Sequence, residues 1–326
     1  MAAPAGAASS PRPGADNPRL RSPPSPGARP ASAVSAARRS RLALWLFVAT
    51  LMTTAATSFS MQAMDEIWLR HYNGDFAAHG RMMSRISSAS SALSFMFKPL
   101  MGGLIDCFGR KKLLVLSPLL QMALKGATAV APLRFAVPLI TSQWLTGFFA
   151  WEGFMMAREA MMGDLFGHDP KALGQALSRL MMIWPLTSIF CPLVGGRLAR
   201  VNVQLPFGLT ALIFGLSSAM IALVIPETLP PAPAGAARSF NLATASPLSA
   251  LKLFTKGSRL RAVAVLQLVS ALGDGMVTWN ISSIHRMQVT GWDSEARGRF
   301  ESVSSVISLP GYVCMATSVP LYSRVS

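Results

Sequence analysis

Apolar and polar positions along this chain fall into long blocks, not into the alternation of a half-buried strand or the narrow stripe of a soluble amphipathic helix. Apolar runs cover 42–64, 86–105, 113–133, 135–156, 180–198, 206–225, 262–284 and 303–321. Each has about the 20 residues that a helix needs to cross some 30 Å of hydrocarbon. They predict an all-α polytopic membrane protein, because only helices and closed barrels satisfy every backbone polar group in lipid. The second run is rich in serine and should face protein or a cavity. The third and fourth are separated by little more than Arg134, with Pro132 and Pro138 helping to place the turn. Asp65, Glu66, Arg70 and Asp75 mark an aqueous loop after the first span, and Arg158, Glu159, Asp164, Asp169 and Lys171 another after the fourth. Residues 285–302 read as a charged outer loop in which Asp293, Glu295, Arg297, Arg299 and Glu301 are solvated.

Composition supports this reading. The 326 residues are 51% hydrophobic and only 13% charged, about half the charged share of a soluble domain. The formal net charge of +16 is scattered between apolar runs, which suits orientation and contact with anionic lipid and argues against a nucleic-acid surface. Cys107, Cys191 and Cys314 all lie in or beside spans, so a disulfide framework is not expected. Residues 1–41 are Ala, Pro, Ser, Gly and Arg with Asp16 as the sole acid. This predicts a disordered basic tail, with an organelle transit segment as the alternative. Residues 227–260 change regime again, to a Pro/Ala-rich and then basic linker. No nucleotide loop, nucleophile elbow or metal-site spacing is present, so the chain is expected to be no enzyme and to need no cofactor or metal.

The most informative stretch joins the second and third spans: Gly102-Gly103-Leu104-Ile105-Asp106-Cys107-Phe108-Gly109-Arg110-Lys111. Three adjacent cations, Arg110, Lys111 and Lys112, favour the cytoplasmic side. The stretch resembles the G-x-L-A-D-R-x-G-R-K signature of the major facilitator superfamily of secondary transporters, with Cys107 in place of the usual arginine. Pro226-Glu227-Thr228 is similar to the end of helix 6 in that family. The final residues, Pro320-Leu321-Tyr322-Ser323-Arg324, resemble the opening of the signature's second copy after helix 8. The resemblance implies a major facilitator fold: a six-helix N-terminal half over 42–226, a cytoplasmic linker over 227–260, and over 261–326 the first two helices of a C-terminal half. On this reading the sequence is truncated after helix 8 of twelve.

What the resemblance implies for function is alternating-access transport of a small solute, with the N-terminus cytoplasmic. The host membrane is open among plasma membrane, endomembrane, plastid and mitochondrion. Gly102, Asp106, Gly109, Arg110 and Lys111 would form a gating loop. Helices 1, 4, 7 and 10 line the central cavity in the family, which places Glu152 and Asp274 as cavity or proton-coupling candidates. Charged groups inside spans default to functional hypotheses, so Lys98 joins them, with pairing or snorkelling as its alternative. Lys125 is expected to snorkel from a peripheral helix. Gln143-Trp144-Leu145-Thr146-Gly147 stands where the family has R-x-x-Q-G, so Gln143 replaces an arginine often tied to proton coupling. Cys191-Pro192-Leu193-Val194-Gly195-Gly196 is similar to the end of the antiporter pattern on helix 5. There Pro192, Gly195 and Gly196 would bend and closely pack the helix, which points to efflux-like antiport. The implied partners are a small-molecule solute, protons as coupling ion and membrane lipid, with a monomeric full-length protein. A non-transporting receptor or partner protein of the same fold, or an inactive truncated paralogue, is the competing reading.

Overall fold

The computed structural model describes residues 36–229, 257–273 and 284–322. Asp274, the tail up to residue 35, nearly all of the expected linker and the second signature from Ser323 onward lie outside the described residues. Within them the chain is helical, with no strand.

α1 (Ala36–His71) carries the first apolar run and turns through residues 72–75, where Asn73 and Gly74 take positive φ of 50° and 83°. Asp75 then caps α2 (Phe76–Phe108) by accepting from the N–H groups of Ala77 and Ala78 at 2.8 and 2.9 Å. Pro99 lies inside α2 and removes one backbone donor beside Lys98. Gly109, at φ 103°, is the one-residue joint to α3 (Arg110–Val130). The fourth apolar run is broken in two: α4 (Leu133–Leu145) and α5 (Gly153–Phe166) are joined by a π-helical turn over Phe148–Glu152. The fifth run is preceded by the short helix α6 (Pro170–Met181), capped by Asp169 with proline in the first turn. It continues as α7 (Ile183–Val201). α8 (Leu205–Val224), α9 (Ser258–Gly273) and α10 (Ser294–Tyr322) complete the described elements, with a further helical turn over 284–290.

Among the described residues, four helical stretches are long and apolar enough by length and composition to cross a membrane: Ala37–His71, Arg110–Val130, Pro170–Val201 and Leu205–Val224. Serines dilute α2, and the π turn divides the fourth run, so both fall short of that measure.

Two apolar cores lie at opposite ends of the bundle. One, beside the Gly109 joint, gathers Leu46, Ile105, Leu114, Phe154, Met161 and Ile221. The other, beside the Asn73 turn, gathers Ile67, Trp68, Met83, Ile140 and Phe207. Between them the helices are pinned by hydroxyls: Thr53 meets Ser217 at 3.1 Å, and Thr210 donates to the Ala56 carbonyl at 2.9 Å. In lipid such interhelical hydrogen bonds and small-residue contacts take over from the hydrophobic effect. Gly195 shows the second device, since a Cβ there would run into the Phe59 carbonyl of α1. Likewise a Cβ at Gly196 would meet the backbone of Ser294, and one at Gly298 the carbonyl of Pro192, so α7 and α10 are in backbone contact.

The expected solvated loop over 285–302 is corrected. Helix α10 begins at Ser294, and Glu295 and Arg297 are buried. Glycine at 196 and 298 lets the helix seat its charged first turn against α7, where neighbouring arginines and carboxylates replace water.

Candidate functional site

Three groups of charged and polar side chains stand out, at the joint end, the middle and the Asn73 end of the bundle.

At the joint end the Gly109 backbone geometry starts α3 without a side-chain cap of its own. The missing cap comes from a distant residue. Glu227, just after α8, accepts from the N–H groups of Arg110 and Lys111, both at 3.1 Å. A carboxylate there also meets the positive end of the α3 dipole. A side chain at 109 would collide with that carboxylate. Arg110 reaches α5, where its guanidinium pairs with Asp164 and donates to the Ala160 carbonyl at 2.6 Å. The Thr228 hydroxyl closes the ring on Asp164 at 2.8 Å. Lys111 donates to the Ala222 carbonyl at 2.7 Å. Asp106 sits at 3.9 Å from Arg110, with a side chain 71% exposed. A Cβ at Gly102 would come within ordinary contact, 3.7 Å, of the tip of Met156. The ring therefore ties α3, α5 and the end of α8 together and leaves Asp106 on its rim.

In the middle, Lys98 of α2 and Glu152 of the π turn form an ion pair at 3.2 Å. Phe97 and Phe148 stack beside it with centroids 4.6 Å apart. Both charged side chains remain partly exposed, so the pair is accessible. A π turn widens a helix by one residue and is found disproportionately at functional positions; here it sets Glu152 against Lys98. Gln143 lies deeper, donating to the Thr128 hydroxyl at 2.8 Å, while its Oε1 is buried with no hydrogen-bond partner.

Lys125 departs from expectation. It does not snorkel to an interface; it is buried among α1, α3 and α8, where it donates to the Ser60 hydroxyl at 2.9 Å and lies 5.2 Å from the centroid of the Phe207 ring. No carboxylate pairs with it among the described salt bridges. Desolvating an ammonium for so few partners is costly. Lys125→Met is accordingly expected to leave the thermal unfolding midpoint of the detergent-solubilised protein unchanged or raised. A fall of several degrees would show that the cation contributes net stability.

At the Asn73 end, Arg297 of α10 pairs with Asp65 at 3.0 Å and Glu66 at 3.7 Å and donates to the Gln62 carbonyl at 3.3 Å. Glu295 is met by Arg200 at 2.9 Å and by Arg299 at 2.6 Å. The Arg200 hydrogen bond, followed by that of Arg299, brings the Glu295 carboxyl down to about 2. Pro192, Gly195 and Gly196 lie on the stretch of α7 that contacts α1 and α10 at this end.

The sequence did not reveal Asp164 as partner of Arg110, the capping role of Glu227, or Arg297 as a buried charge. The signal closest to hand was the acid of Pro226-Glu227-Thr228 lying next to a span end. Asp274 lies outside the described residues.

Comparison with known proteins gives the fold a context. A family model described as the Major Facilitator Superfamily matches residues 46–325. The chain belongs to the major facilitator superfamily. Its fold is similar to that of the crystal structure of the human organic anion transporter MFSD10 (TETRAN). That likeness has a TM-score of 0.65 and 19% identity and covers 85% of this chain and 72% of that one. No curated protein matches the sequence. As a member of this superfamily the chain is an all-α, multi-pass membrane protein of a solute-transporting family.

Proposed function

We propose that this superfamily member moves a small solute by alternating access, in antiport with protons, and that Lys98 and Glu152 form the exchangeable charge pair on its path. The observation that carries the reading is the 3.2 Å ion pair at the π turn, accessible and framed by stacked aromatics. A carboxylate in such a place can hold either its lysine, a proton or a cationic solute group. Competition between proton and solute for one carboxylate is the chemical requirement for antiport. The ring at Arg110, with Asp106 on its rim, would hold the cytoplasmic side in one state and release it in the other.

A second reading rests on Lys98. The similar structure is titled an organic anion transporter, and an organic anion would need a cation such as Lys98. Protonation of Glu152 would then free the lysine, and proton and anion would travel together.

Both readings are tested in proteoliposomes with a pH dye trapped inside and a panel of organic cations and anions outside. Antiport predicts solute-driven proton counterflow, and Glu152→Gln is expected to reduce it at least about tenfold, the scale of a lost charged partner in a low-dielectric site. Proton flow in the same direction as an anionic solute selects the second reading. Solute flux unaffected by Glu152→Gln and Lys98→Met would remove the pair from the path.

A further inference from the structure

His79 stands in α2 between the Asn73 turn and the expected span over 86–105. It is completely buried, and neither ring nitrogen has a hydrogen-bond partner. Its ring stacks on Trp68 with centroids 6.2 Å apart, and Trp68 stacks in turn on Tyr72. A buried imidazole with both nitrogens unsatisfied is expensive, since each forfeits the hydrogen bonds that water would supply. The charged groups that act on it are Asp65 of α1 and Arg297 of α10, which are themselves joined at 3.0 Å. Glu66 lies behind Arg297 at 3.7 Å. Asp75 of the same helix is occupied in capping the α2 N-terminus.

From this juxtaposition we infer that His79 is a proton-binding site that releases the clasp between α1 and α10. A proton on the ring would place a second cation beside Arg297 and offer Asp65 an alternative partner, so the Arg297–Asp65 contact loosens. Opening of that end would then wet the ring and complete its unsatisfied hydrogen bonds.

The direction of the linkage follows from burial. Desolvation is the largest influence on His79 and holds its pKa below the ordinary value. Asp65 opposes this and Arg297 reinforces it. In an opened state the ring would return toward about 6.5. The closed clasp is therefore fully favoured above that value and loses ground as pH falls below it, by up to about tenfold in population per pH unit for one proton. Glu295 contributes little over the same range, because its carboxyl is already held at about 2 by Arg200 and Arg299.

The inference deepens the alternating-access reading and rests on it. The test uses the full chain in lipid nanodiscs, with spin labels at the exposed positions His71 of α1 and Val303 of α10 in a background carrying Cys107→Ser and Cys314→Ser. Distance distributions measured from about pH 8 to pH 5 should move toward a longer component on acidification. In His79→Gln, or His79→Asn should the first fold poorly, the short component should persist throughout. A distribution that ignores pH in the unsubstituted chain, or a shift that survives in both variants, overturns the proposal. Transport that is absent while the distance still responds to pH would remove the solute reading and leave this site standing. Transport that is present with an unresponsive distance would remove this site alone.

Discussion

Arg110→Ala is expected to lower the thermal unfolding midpoint by several degrees and to abolish the proposed transport, while Arg110→Lys should retain part of both. The guanidinium does two things that alanine cannot: it neutralises Asp164 and satisfies the Ala160 carbonyl. Removing it leaves Asp164 with the Thr228 hydroxyl and no cation. Breaking a buried pair by removing one partner costs about 3–5 kcal/mol. Asp164 retains some contact with water, so the lower half of that range is expected. Lysine supplies the charge as a single point and lacks the planar fork that spans two acceptors, which is why its rescue is partial. The main-chain N–H of residue 110 still reaches Glu227 in either variant, so the α3 cap itself survives. The check is unfolding in detergent beside surface-normalised uptake; an alanine variant as stable and active as the parent would show that the ring is ornamental.

Arg297→Gln is the second large effect. Arg297 is buried where α10 meets α1, and it answers Asp65, Glu66 and the Gln62 carbonyl together. Glutamine reproduces neither the charge nor the geometry, and it takes the Arg297 cation away from both Asp65 and Glu66. The contacts of Gly196 and Gly298 with the facing backbones persist, so the protein is expected to stay folded. The clasp, however, should lose the attraction that opposes opening, and the pH response assigned to His79 should flatten because the cation it would repel is gone. In the spin-label measurement this appears as a long component already present at neutral pH. A short distance unchanged at every pH would mean that backbone contact alone closes this end.

Much of the fold was legible because a helix in lipid announces itself by length and lack of charge: the apolar runs are helical over most of their described length. The break at Phe148–Glu152 was not, since a π turn has no composition of its own, and Gly147 and Gly153 merely permit it. The joint at Gly109 was legible through glycine and its neighbouring cations. Its partners Asp164 and Glu227 were harder to find because they come from 50 or more residues away and look like ordinary loop acids. Lys125 and Arg297 were misplaced for one reason. Sequence assigns a charge to the nearest water, whereas the folded chain can surround it with hydroxyls, aromatic faces or carboxylates from other helices. His79 carries no signal in the sequence, because its burial and its two unpartnered nitrogens arise only from the fold.

The central proposal is that the ring at Arg110 and the clasp at Arg297, both closed in this structure, open in alternation. Hydrogen–deuterium exchange on Arg297→Gln tests it most directly. Amides over 59–71 and 291–299 should exchange faster, while those over 105–112, 160–165 and 222–229 become better protected. Faster exchange at both ends together, or a change confined to the neighbourhood of residue 297, would contradict the account.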